Sequence, residues 1–238
     1  LNPRTWLLPN YLDDRIWNMR PIPDREEADQ PVVIGYMGGD SHTPDLLEIA
    51  PALSQILERY GERVRLEVLG ARPPSELQEK SNVRWSPAQT FEYAQFAADF
   101  LQQDYHIVIA PLRETLFNRC KSAIKFLEYS ALGAPGVYSH LEPYAGVVEH
   151  GENGFLASDL EEWQSYLSRL IEDPVLRRRM GAKAQETVRE RWLLSQHAQA
   201  WTQLYEQLLS APPDEIPESS VRPETILRIT SQVMDENT

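Results

Sequence analysis

The residues best placed to do chemistry lie in the run Asn118 to Ser139, NRCKSAIKFLEYSALGAPGVYS, which combines two lysines and a glutamate with a terminating Gly-Ala-Pro. At about 100° per residue, helical spacing sets Lys121, Lys125 and Glu128 in one narrow sector, beside the apolar stripe of Ile124, Leu127 and Ala131. Charges so placed sit at the rim of a cleft. Two ammonium groups and a carboxylate suit a ligand that carries phosphates and vicinal hydroxyls. A helix that follows the segment HIVIAPLRETLFNR also turns its N-terminal N–H groups and positive dipole end toward the same cleft. The plain alternative is a solvent-exposed i,i+3 pair between Lys125 and Glu128, contributing about 0.3 kcal/mol.

The elements that must position these groups read as alternating strands and helices. PVVIGYM at 31–37 is an apolar, β-branched run that ends at Gly38-Gly39-Asp40, and 43–60 shows helical periodicity through Leu46, Leu47, Ile49, Ala50, Leu53, Ile56 and Leu57. Strands follow at 64–70, 82–86 and 106–112, with a helix over 90–102, and 137–139 and 154–157 complete the sheet. Helices are expected over 141–149 and 159–172, and a wholly helical stretch over 173–209, with Trp192, Trp201, Leu204, Tyr205 and Leu208 on its apolar side. Strands apolar on both faces belong to a parallel sheet covered on both sides, so the fold class is a Rossmann-like, doubly wound α/β domain with a helical C-terminal end.

Gly38 and Gly39 stand where the first strand passes to a helix, where a backbone approaches a diphosphate most closely if no side chain intervenes. A phosphate loop and a plain tight turn both fit this pattern. The text G-Y-M-G-G-D is not the dinucleotide fingerprint G-x-G-x-x-G, which counts against a nicotinamide dehydrogenase. His42 and Asp45 follow the glycines; His42 is either a donor to a phosphate oxygen or a solvated loop residue. Tyr144 is either a pocket wall or ordinary packing. Gly151 and Gly154 read as turn glycines.

The 238 residues carry a net charge of −13 with 42% hydrophobic and 25% charged residues, an ordinary globular composition. The acidity excludes a nucleic-acid-coating surface, so any anion pocket is local. A single cysteine, Cys120, fits a reducing compartment, and the default location is the cytoplasm. No run approaches the roughly 18 apolar residues of a membrane span. The five histidines have no ligand spacing and D-x-D is absent, so no metal site is expected. Residues 1–30 read as a hinge with a proline-bearing linker, 31–210 as the globular domain, and 211–238 as an acidic, proline-rich tail with a weak helix over 224–234.

The string K-S-x-I-K-F-x-E-Y-x-A-L-G-x-P, followed by Tyr144, VVEHGENGF at 147–155, EEW at 161–163 and DPVLRRRMG at 173–181, resembles the donor-binding domain of GT-B glycosyltransferases. The group is glycosyltransferase group 1, or family four. The likeness runs from about Pro31 to Leu209, with its motifs in order. Pro9, Asn10 and Asp13 match the stretch that closes the N-terminal domain in that family, and the chain opens at Leu1 without Met, so an N-terminal acceptor-binding half is expected elsewhere. The resemblance implies transfer of a hexose-type sugar from a nucleotide diphosphate sugar, with retention, to a glycan, lipid or small-molecule acceptor. The nucleotide sugar is then the substrate, with no further cofactor and no metal, and a peripheral membrane or glycan acceptor is the expected partner. Glu128 matches the second glutamate of the E-x7-E motif, which accepts hydrogen bonds from the ribose, and Lys121 and Lys125 would neutralise the departing diphosphate. The first glutamate falls at Cys120, so Asn118 is expected to take over its contact to the sugar. That departure leaves an alternative, a non-catalytic module that holds nucleotide or partner proteins.

Overall fold

The structure is a computed structural model that describes residues 6–22, 30–87 and 92–210. Strand β1 (Val32–Gly38) leads through a 3-10 turn into helix α1 (Thr43–Tyr60), then β2 (Val64–Gly70), the one-turn helix α2 (Ser75–Gln78), β3 (Val83–Ser86) and α3 (Tyr93–Phe100). The second half runs β4 (Ile107–Ala110), α4 (Leu116–Arg119), α5 (Ile124–Leu132), β5 (Gly136–Ser139), α6 (Glu142–Ala145), β6 (Phe155–Ala157), α7 (Leu160–Glu172), α8 (Pro174–Arg191) and α9 (Leu194–Ser210).

The six strands form one parallel sheet in the order β3-β2-β1-β4-β5-β6. The chain winds outward from β1 in one direction and from β4 in the other, so the crevice at the carboxyl ends of these two strands is the topological switch point. One apolar layer joins α1 and α7 to the sheet through Leu46, Leu53, Leu167 and Leu170, and a second buries α3, α5 and part of α8 against the opposite face. The doubly wound architecture expected from the strand pattern is therefore present.

Three local expectations need correction. The stretch after Asp173 breaks at Trp192 and Leu193, where the early segment joins the domain: Leu12 N donates to Trp192 O at 2.9 Å and Leu194 N to Leu12 O at 2.8 Å. α9, beyond that break, has no buried residue, so the apolar side read from Trp201, Leu204, Tyr205 and Leu208 meets no core among the described residues. The hinge is not a free linker where it is described, since Leu12 and Trp17 are fully buried in the α3/α5 layer. The start expected for α3 at Thr90, part of the proline-bearing linker and the tail 211–238 lie outside the described residues. Among the described residues no helix is long and apolar enough to cross a membrane.

α5 ends on Gly133, whose φ of 75° is the left-handed cap conformation that glycine adopts without strain. α8 crosses this cap so closely that a β-carbon on Gly181 would fall on the Gly133 carbonyl oxygen, a backbone atom with no rotamer to move. Gly181→Ala should push α8 off α5 and destabilise the chain by about 1–3 kcal/mol, read as a lower urea midpoint with an unchanged denaturant slope.

Candidate functional site

The switch point gathers side chains from three elements: the β1–α1 turn, the loop after β4, and α5. At its centre is Asp45, in the first turn of α1 and only 2% exposed. Its Oδ1 accepts from the Arg113 backbone N–H at 3.0 Å and from Asn118 Nδ2 at 3.0 Å; its Oδ2 lies 2.8 Å from His42 Nδ1 and 4.0 Å from Lys121 Nζ. Burial raises the pKa of this carboxyl, but the hydrogen bonds from His42, Arg113 and Asn118 and the Lys121 charge outweigh it, so Asp45 is held below the usual carboxylate range. The sequence pointed to Asp45 only as a neighbour of the glycines. Its central position depends on contacts across 68 and 73 residues of chain.

Lys121 does not share a helix with Lys125 and Glu128, contrary to the spacing. α4 ends at Arg119, and Cys120 to Ala123 form a turn before α5. Local polar bonds replace helical ones here: Asn118 gives its amide to Asp45 and to Arg113 O at 2.9 Å, and Asn10 Nδ2 donates to Ser122 Oγ at 2.9 Å. Lys121 is carried over the Phe117 ring, 5.1 Å from its centroid, and its Nζ reaches within 3.4 Å of His42 Nδ1. Partial burial lowers its pKa against the pull of Asp45. Asn118 is buried and both hydrogens of its Nδ2 are bonded within the protein, so any contact it makes to a sugar falls to its Oδ1 or the surrounding backbone.

Lys125 and Glu128 are buried rather than at a rim, at 7% and 5% exposure, because every residue from Lys125 to Leu132 faces packed neighbours. The solvent-exposed ion pair is thereby ruled out. The Lys125 ammonium lies 4.8 Å from the centroid of the Tyr36 ring and has no hydrogen-bond partner among the described residues. Burial depresses its pKa to about 8, opposed by the charge of Asp45 and reinforced by that of Lys121. Glu128 accepts a hydrogen bond from the Tyr93 hydroxyl at 2.8 Å, and Tyr93 in turn accepts from Trp17 Nε1 at 2.9 Å. Sequence reasoning misses Tyr93 and Trp17, since α3 and the hinge carry no motif at those positions.

Gly38 is buried, and a β-carbon on it would meet the Tyr36 hydroxyl at 2.6 Å and Lys125 Nζ at 3.1 Å, so this glycine is required by space. Gly39 faces open space with an ordinary φ of −77°. Both line a cavity of about 590 Å³ between the ends of β1, β2 and β3 and α3, with Gly70, Ser86, Phe96 and Gln103 among its walls. A second cavity of about 470 Å³, on the α1/α7 side, includes Asp45, Glu48, Glu114, His140 and Asp159. Tyr144 is fully buried with its ring 5.0 Å from that of Tyr138, so of its two readings the packing one describes it. Among the described residues no group of three His, Cys, Asp or Glu side chains is arranged to hold a metal ion.

The site thus consists of cationic groups and a glycine turn at the switch point of a doubly wound sheet. The model of the glycosyl transferases group 1 family matches residues 31–173, and the chain belongs to that family. Among curated proteins none matches it. Its fold is similar to that of HepE from Anabaena, at a TM-score of 0.61 and 18% identity over 85% of this chain and 56% of that one. Sucrose-phosphate synthase from Thermosynechococcus elongatus gives 0.63 and 18% over 86% of this chain and 52% of that one. The C-terminal domain of LpcC from Francisella tularensis gives 0.54 and 14% over 77% of this chain and 99% of that domain. The chain thus spans only about half the length of the first two.

Glu128 also couples stability to pH. Burial raises its pKa to about 7 from the ordinary 4.5, although the Tyr93 hydrogen bond and the Lys125 charge pull it down. The folded chain then holds a proton that the unfolded chain releases, so this group's contribution to stability is complete below about pH 4.5 and is lost as pH rises through about 7. Glu128→Gln removes that titration. Between pH 4.5 and 8 the stability of the wild type should fall relative to Glu128→Gln by on the order of 2–3 kcal/mol, measured by urea denaturation at a series of pH values; parallel profiles would contradict it.

Proposed function

We propose that this chain is the nucleotide-sugar-binding half of a group 1 glycosyltransferase that moves a hexose-type sugar, with retention, from a nucleoside diphosphate sugar to a glycan, lipid or small-molecule acceptor. An N-terminal domain would supply the acceptor site. The observation that carries this reading is the buried Lys125 ammonium, left without a partner beside Gly38 at the switch point. A buried cation without a counter-ion is costly, and a diphosphate is the ligand whose arrival offsets that cost. The solved structures of HepE with UDP and glucose, and of a mutant of TarM from Staphylococcus aureus with UDP, support a nucleotide of this kind.

In this reading the diphosphate lies over Gly38 and Gly39, with Lys125 on one side and Lys121 on the other. As the bond between the sugar and the diphosphate breaks, negative charge accumulates on the leaving phosphate oxygens, and the two ammonium groups stabilise it in a partly dehydrated setting. Asp45 holds Lys121 and His42 in place, with three of its acceptor sites taken by Arg113, Asn118 and His42. Glu128 accepts from the ribose hydroxyls with the oxygen that Tyr93 does not occupy. The cavity of about 590 Å³ beside Gly39 takes the nucleobase. Cytoplasmic nucleotide sugars are the natural donor pool for such a site.

One observation favours a second reading, a nucleotide-holding module without catalysis: Cys120, exposed, stands where the motif's first glutamate belongs. The two readings part on turnover. Retention of UDP or GDP with donor hydrolysis in the full-length protein favours the enzyme, and retention without hydrolysis or transfer favours the module.

Two substitutions test the site itself by titration calorimetry. Lys125→Met should weaken UDP or GDP at least tenfold while leaving the ligand-free chain as stable as the wild type or more so, because a buried unpaired cation is exchanged for an apolar side chain of similar length. Unchanged affinity would remove Lys125 from the site. Glu128→Gln should weaken the ribonucleotide about tenfold and abolish its advantage over the 2′-deoxy form; a retained preference would place the ribose elsewhere.

A further inference from the structure

Tyr36 lies on β1 beside Lys125, with its ring fully buried and its hydroxyl without a hydrogen-bond partner. Buried polar groups in folded proteins are almost always bonded, so two orphans at one place call for a common explanation. The second orphan is the Lys125 ammonium. They arrive from different elements, β1 and α5, and both reach the backbone at Gly38: a β-carbon there would stand 2.6 Å from the hydroxyl and 3.1 Å from Nζ. They do not satisfy each other, since the ammonium sits against the face of the ring, 4.8 Å from its centroid.

The charged and polar groups around this point offer no acceptor. Asp45, which acts on both orphans electrostatically, has its oxygens engaged by Arg113, Asn118 and His42. Lys121 is a donor, and Glu128, which accepts from Tyr93, bonds neither orphan. What is missing is an oxygen that accepts from a neutral hydroxyl and an ammonium at once. A phosphate oxygen does so, and Gly38, which lines the cavity and carries no β-carbon, is the backbone position that both orphans reach.

We propose that Tyr36 is a binding residue of the diphosphate site, its hydroxyl donating to the same phosphate oxygen that Lys125 engages above Gly38. This rests on the donor-binding reading given above and adds to it a neutral donor that no family motif in the chain points to. The hydroxyl supplies a hydrogen bond without charge, so it grips the diphosphate without adding a further cation to the repulsion between Lys121 and Lys125. Burial raises the phenol's pKa far above its ordinary value, so the proton needed for donation stays in place at any working pH.

Tyr36→Phe separates a binding role from a packing role, because it keeps the ring and deletes only the orphaned oxygen. The 238-residue chain and this variant are compared by titration calorimetry with UDP against uridine and with GDP against guanosine, and by thermal melting without ligand. The variant should bind the diphosphate about tenfold more weakly, bind the nucleoside as before, and melt at the same temperature or higher, since an unsatisfied buried hydroxyl has been removed. Equal diphosphate affinity in variant and wild type overturns the proposal. So does a weakening that affects nucleoside and diphosphate alike or comes with a lowered melting temperature, the pattern of a structural residue. Should the wild type bind neither diphosphate, the donor-binding reading falls, and Tyr36 with it.

Discussion

A buried carboxylate on α1 ties the two halves of the sheet together where they diverge. Asp45 takes a backbone N–H from the loop after β4, the amide of Asn118 from α4 and the ring of His42 from its own turn. Those bonds fix a loop at Arg113, the one-turn helix α4 at Asn118 and the 3-10 turn at His42, and Lys121 follows because the turn that carries it starts from Asn118. Without a carboxylate at this point the loop after β4 would have unpaired polar groups at its base. The arrangement of polar groups at the switch point is thus set by one anion.

Lys125 and Tyr36 represent the opposite strategy. Their polar ends are buried and unbonded among the described residues, which lowers the stability of the free protein. In the proposed reading, an anion would complete the hydrogen bonds that the fold leaves open. The depressed pKa of Lys125 expresses the same cost. Gly38 is the enabling residue, because any side chain there would fill the space where the two donors converge.

The hinge segment touches this machinery twice. Trp17 holds Tyr93, which holds Glu128, and Asn10 holds Ser122, one residue beyond Lys121. Its Leu12 and Trp17 are buried in the α3/α5 layer, and its backbone pairs with the break between α8 and α9. The segment that precedes the domain in sequence is therefore part of the surroundings of both the carboxylate and the lysine turn. Chemistry at Glu128 depends on where residues 10 to 17 lie.

Strand and helix positions were legible because burial on both faces of a parallel sheet forces short apolar runs, and the glycine turn and helical periodicity mark their junctions. β1, α1 and β2 fall within a residue of the limits read from composition. That Lys121, Lys125 and Glu128 fall in the stretch after β4 was legible from the sequence itself. What only the tertiary structure decided was the setting of those residues. Spacing joined Lys121 to Lys125 in one helix, but side-chain bonds from Asn118, Asp45 and Asn10 interrupt it; periodicity set Lys125 and Glu128 at a rim, but packing on both sides of α5 buries them. The partners Asp45, Tyr36, Tyr93 and Trp17 are distant in sequence, and proximity across a folded sheet follows from the winding order of the chain, which local patterns of hydrophobicity do not encode.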